Sequence, residues 1–144
     1  MERLSRLYVS HFGSPTAWYE NLLFDLTDPD TQQPTDVIFN LENAGGKTSL
    51  LSYVFSCFEP KQERWLQHLQ KKNHRFAEYF ARDGRPSFIV MEWEMPARAA
   101  AMSDYKLVVG QVVALKESAE RGADVERWFF AFEAVDGMGL EAIP

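Results

Sequence analysis

One stretch constrains this chain more than any other: Asn40-Leu41-Glu42-Asn43-Ala44-Gly45-Gly46-Lys47-Thr48-Ser49. It follows a short apolar run, Val37-Ile38-Phe39. It precedes a segment whose Leu50, Leu51, Val54, Phe55 and Phe58 recur at helical spacing. A strand, a glycine-bearing loop with Gly-Lys-Thr and then a helix is the setting a phosphate-binding loop requires. Loop amides and the N–H groups at a helix start attract an anion. Glycine lets the backbone approach it with no Cβ in the way. Lys47 is placed to reach β- and γ-phosphates, and the Thr48 hydroxyl to sit on Mg²⁺. Of the general pattern G-x-x-x-x-G-K-[ST], Gly46, Lys47 and Thr48 occupy the strict positions, and Leu41 stands at the first glycine. The competing reading is a loop that happens to hold two glycines and a lysine.

Around this stretch the pattern is of one domain. Its 144 residues suffice for a core, and 46% hydrophobic with 14% aromatic residues excludes wholesale disorder. Leu4–Phe12 reads as a strand, Gly13–Thr16 as a turn, and Leu22, Phe24 and Leu26 as one side of a second strand. Thr27–Thr35 is polar with two prolines and reads as a mobile loop. Asp36–Asn40 reads as a short strand buried within a sheet. A helix is expected over Thr48–Phe58, stopped near Pro60, and more helix over Lys61–Arg82. Ser87–Met95, Lys106–Lys116 and Arg127–Ala134 read as strands joined by hairpin-like connections. No apolar run approaches the roughly 20 residues of a membrane span. No secretory signal follows Arg3 and Arg6, and a single cysteine suits a reducing cytoplasm.

The chain resembles a family at several of these places. Asn43 stands four residues before Lys47, as in the G-x-N-G-x-G-K-[ST] loop of SMC-type ABC ATPases. These include condensins, MukB-like proteins, double-strand-break repair ATPases and the SMC-like subunits of anti-plasmid defence. Arg3–Phe12 looks like the family's opening strand and Tyr19–Leu26 like its second. Leu41 and Ala44 stand where the family has glycines. The resemblance implies an α/β fold: the N-terminal lobe of an ABC-type P-loop NTPase head, with a mixed sheet, a P-loop helix and an antiparallel β portion. It implies ATP and Mg²⁺ held by Asn43, Ala44, Gly45, Gly46, Lys47, Thr48 and Ser49, with Thr48 on the metal. The signature segment, the Walker B acid and a partner lobe would come from a distant C-terminal segment. Two heads would close on ATP, with accessory subunits, in the cytoplasm at the nucleoid.

Charge bears on a DNA partner. The net charge of −6 argues against a wholly basic nucleic-acid binder. Lys61–Arg85 nevertheless holds seven basic residues against three acids. Lys71, Lys72 and Arg75 fall on one side of the expected helix and are candidate phosphate contacts. An ordinary solvated helix face is the alternative.

Other constellations are weaker. Phe88-Ile89-Val90-Met91-Glu92 resembles a Walker B strand, yet it continues as plain alternation through Trp93-Glu94. His11, His68 and His74 have no metal-ligand spacing with Cys57, which reads as a buried inert thiol. His11 has one further claim: in SMC-like heads the loop after the first strand lies near the nucleotide base. Two other functions stay open: a small self-contained P-loop NTPase using Glu92 or Glu94 for magnesium, and a non-catalytic interaction domain.

Overall fold

Among the described residues every strand pairing is antiparallel, and one of them joins residues far apart in sequence. The computed structural model describes residues 1–14, 17–40, 46–59, 61, 79–80, 82–100, 102–116, 124–134 and 138–142. Among them are β1 (Arg3–Ser14), β2 (Ala17–Asp25), α1 (Lys47–Ser56), β3 (Ser87–Met95), β4 (Tyr105–Lys116) and β5 (Asp124–Glu133). Two short 3-10 turns lie at Arg82–Gly84 and Leu140–Ala142. The sheet order is β2-β1-β3-β4-β5. Leu7 faces Met91 across β1 and β3, and Met91 faces Val109 across β3 and β4.

This overturns the expected fold class. A P-loop NTPase core has parallel strands with several helices packed on them. Here a five-stranded antiparallel sheet carries one α-helix among the described residues. Asp36–Asn40 is the main reason. It is no strand, and Ile38 is 93% exposed. Its Phe39 ring meets Phe24 of β2 edge-on, with centroids 5.0 Å apart. Three apolar residues satisfy a burial pattern in sequence, but strand formation also needs a partner edge for the backbone. The preceding loop is closed on itself. The Asp28 carboxylate accepts from the Asp30 and Thr31 amides, and Thr27 bridges Pro34. The second expected helix lies almost wholly outside the described residues.

Alternation sorts the sheet into two faces. Leu7, Val9, Ile89, Met91 and Val113 turn toward α1 and pack with its Leu50 and Tyr53. Tyr53 lies between Phe12 and Phe80, at centroid distances of 4.1 and 5.0 Å. Glu92 sits on the other face, fully buried among Ser5, Arg6 and Lys106. Each buried aromatic or branched side chain stabilises by about 1.5–3 kcal/mol, so the α1 face carries the main core. At β1–β2 the turn is tight enough that a Cβ on Gly13 would collide with the Ala17 carbonyl, and φ there is 142°.

Candidate phosphate-binding site

α1 is positioned by its inward residues. Leu50 and Tyr53, three apart, are buried, and Val54 packs beside them. The opposite side leaves Leu51, Phe55 and Phe58 exposed. The helix starts at Lys47, preceded by Gly46 in the left-handed region with φ 81° and ψ 13°. Glycine adopts that conformation without the Cβ penalty. The Leu50 amide donates to the Gly46 carbonyl at 2.8 Å and closes the first turn. Amides earlier in the helix have no carbonyl ahead of them in α1. No acidic side chain occupies that turn. Lys47 and Thr48 are exposed, and Ser49 is partly buried.

The β1–β2 hairpin forms one wall. A Cβ on Gly46 would stand 3.1 Å from the Tyr19 hydroxyl and 3.3 Å from the Ala17 Cβ. A side chain at Gly46 would therefore require Tyr19 or Ala17 to give by a few tenths of an ångström. Burial pushes the Tyr19 phenol up, so it keeps its proton at neutral pH. Sequence reasoning missed Tyr19 as a neighbour because the contact joins β2 to a residue 27 positions later; no local pattern signals it.

The far end of α1 is built differently. The Arg127 guanidinium donates from Nη2 to the Ser56 carbonyl at 2.7 Å and from Nε to Gln111 Oε1 at 3.0 Å. The Gln111 amide donates to Ser56 Oγ, which donates to the Tyr53 carbonyl at 2.6 Å. A cation at a helix C-terminus also opposes the negative end of the macrodipole. Burial pulls the Arg127 pKa down, against the neighbouring Cys57 and Tyr53. The Cys57 thiol is pushed up to about 12 by burial, so it is a packing residue and no nucleophile. Arg127, absent from the sequence-based candidates, carried one signal: it is the single basic residue in the β5 sequence.

The Walker-B-like Glu92 is engaged within the protein. Arg6 Nε donates to Glu92 Oε1 at 2.9 Å, and Arg6 Nη2 pairs with Oε2. Lys106 Nζ lies 3.2 Å from Oε1, and the Leu140 amide donates to Oε2 at 3.1 Å. Burial pushes its carboxyl up, while Arg6 and the Leu140 amide pull it down; the net lies below the ordinary range. It faces away from α1. Glu94, on the same side, lines a shallow depression with Tyr105, Lys106 and Glu133. The sheet thus separates both acids from the Lys47 end of α1.

Of the sequence-based site residues, Gly46, Lys47, Thr48 and Ser49 come together at the start of α1. Asn43, Ala44 and Gly45 lie outside the described residues, as do Lys71, Lys72 and Arg75. His11 sits in β1 with φ 51°; its Nδ1 is 2.6 Å from Ser10 Oγ and its Nε2 is 3.2 Å from Glu20 Oε1. No cluster of three or more potential metal ligands occurs among the described residues. Among those residues, no helix is long and apolar enough to cross a membrane. The residues present fit a phosphate group: a narrow glycine gap, a first helical turn without acids, an exposed lysine and an exposed hydroxyl. Comparison with known proteins gives no matching family model, no matching curated protein and no matching solved structure.

Proposed function

We propose that this chain binds the phosphates of ATP with Mg²⁺ and is the ATP-binding lobe of an SMC-like ATPase acting on DNA. The observation that carries the reading is the junction at Gly46: a left-handed glycine followed at once by Lys47 and Thr48 at the start of a helix. The reading rests on that junction and on the Asn43–Ser49 sequence alone; the antiparallel sheet lends it no support. When bound, Mg²⁺ would neutralise developing charge on the phosphates. This chain's part is to bind and orient. Lys47 would counter the β/γ-phosphate charge, and the first α1 amides would donate to an anion at the helix start. Thr48 would supply one oxygen to the metal.

Hydrolysis belongs to a larger assembly in this reading. Phosphoryl transfer needs a group that positions water and a clamp on the γ-phosphate. Glu92 is held by Arg6, Lys106 and Leu140 and turned away from Lys47. That arrangement disfavours a self-contained NTPase that relies on Glu92. A second head and a C-terminal lobe would supply the missing groups, and ATP closure would act as the switch. Lys71, Lys72 and Arg75 are the proposed contacts to DNA phosphates.

Calorimetric titration of the chain with MgATP tests the reading. Lys47→Ala should weaken binding about 10- to 100-fold, the worth of a hydrogen bond to a charged group. Thr48→Val should weaken it in magnesium and leave it unchanged in EDTA. Unaltered affinity in folded Lys47→Ala would sink the phosphate-binding reading.

A further inference from the structure

The outer edge of the sheet carries aromatic residues on both faces of one strand. β5 pairs with β4 alone in the sheet order, and among the described residues no strand lies beyond it. Trp128 is 51% exposed and Phe129 45% exposed, though they are adjacent and point to opposite faces. Phe129 stands opposite Gln111, which reaches α1. Trp128 lies on the far face with Phe130 and Phe132, whose rings stack at 6.3 Å. Phe130 covers Gly110, where a Cβ would strike its ring. A partner resting on either face of the sheet would cover one of these two exposed aromatics and leave the other in water. A strand added edge-on covers both, because its side chains also alternate between faces.

The sequence of β5 says which strand. Antiparallel pairing of β5 with a second copy about a twofold axis at Phe130 sets residues equally spaced from Phe130 opposite one another. Glu133 of one copy, which pairs with Arg98 of its own chain, then stands opposite Arg127 of the other, whose guanidinium stays on Ser56 and Gln111. Phe129 faces Ala131, large against small, and Trp128 faces Phe132, an aromatic pair of the kind that stabilises sheets. Sliding one copy by two residues sets Glu126 against Phe132, or Phe129 against Glu133. Size, and keeping Glu126 and Glu133 off the aromatic rings, therefore favour this register over a slip of two residues. We propose that two copies of this chain associate through their β5 edges in that register and form one continuous ten-stranded sheet.

Sedimentation equilibrium of the chain, from about 1 to about 100 µM, reads the association directly. A monomer–dimer equilibrium is expected, and Trp128→Lys and Glu133→Lys should each raise its dissociation constant about tenfold or more. Both positions are exposed, so circular dichroism should be unchanged. A chain that stays monomeric at the highest concentration overturns the proposal, whatever else uses the edge. So does a dimer that both variants leave intact. The register has its own readout. A mixture of Phe129→Cys and Ala131→Cys chains should form disulfide-linked dimers on mild oxidation, since directly opposed Cβ atoms lie about 4.5–5.5 Å apart. Each variant alone should not, with Cys57, which is partly exposed, replaced by serine in both chains so that it takes no part. Equal linking by either variant alone would refute this register.

Discussion

Two segments of this chain carry the residue types of nucleotide chemistry, Phe88–Glu92 on β3 and Gly46–Ser49 at the start of α1. In the first, the protein supplies every partner itself: Ser5, Arg6, Lys106 and the Leu140 amide surround the buried Glu92 carboxylate. In the second, a glycine gap and an acid-free helical turn meet solvent with a lysine and a threonine exposed. The contrast shows that an acid after an apolar run has no chemistry of its own. Its role depends on what the fold brings to it. Glu92 became a clasp because β1 lies beside β3 and sets Arg6 opposite it. At the start of α1 the two described neighbours across the gap, Tyr19 and Ala17, are not acids, so the proposed phosphate would meet no carboxylate from them.

Mutation can break or sharpen that contrast. The largest effect is expected from Glu92→Ala, which leaves Lys106 without its carboxylate and Arg6 with Glu141 alone. Breaking a buried pair by removing one partner costs about 3–5 kcal/mol, read as a lower urea midpoint at unchanged slope. A loss below about 0.5 kcal/mol would mean the cluster is solvated and not sealed. Next comes Gly46→Ala. The left-handed backbone costs an L-residue about 1–2 kcal/mol, and the new methyl must also fit beside Tyr19. The same variant should weaken the proposed MgATP binding, which separates it from Glu92→Ala, on the other face of the sheet from the proposed site.

Smaller still is the acid response of the clasp's outer member. The Arg6 guanidinium, with backbone amides, holds the Glu141 carboxyl at about 2, against 4.5 ordinarily. A carboxyl depressed in the folded state contributes stability that is complete above its unfolded value. That stability drains away between about pH 4.5 and pH 2 as the group takes up a proton. Glu141 is largely exposed, so screening limits the contribution to less than about 1 kcal/mol. Thermal midpoints of Glu141→Gln should match the parent near pH 2 and fall below it near pH 6. Smallest is Lys47→Ala, whose effect on stability should stay within about 0.5 kcal/mol while the proposed MgATP binding weakens. A matching loss of stability would make Lys47 another internal clasp.

Much of the strand layout was legible from alternation. Ser87–Met95 is β3 to the residue, and the hairpin-forming segments after it are β4 and β5. Strand direction was not legible. Alternation is the same in parallel and antiparallel sheets, and the pairing of Leu7 with Met91 joins residues far apart in sequence. Val37-Ile38-Phe39 misled because hydrophobicity records a tendency to be covered, not the presence of a cover. At the candidate site, Gly46, Lys47 and Thr48 were legible because a helix start is a local event. The wall at Tyr19, the Arg127 cap and the partners of Glu92 were not, since each comes from another part of the chain.

The order β2-β1-β3-β4-β5 has a kinetic consequence. β1–β2 is a local hairpin and β3–β4–β5 a local meander, so either can form within microseconds. Joining β1 to β3 is the one pairing that must close a long loop, and it sets the pace of folding. The loop it closes contains Gly46–Ser49 and all of α1. Closure entropy grows only with the logarithm of loop length. Residues can therefore be added to or removed from the exposed stretch before α1 with little change in the folding rate, while a single disruption of the Leu7–Met91 register should slow folding sharply.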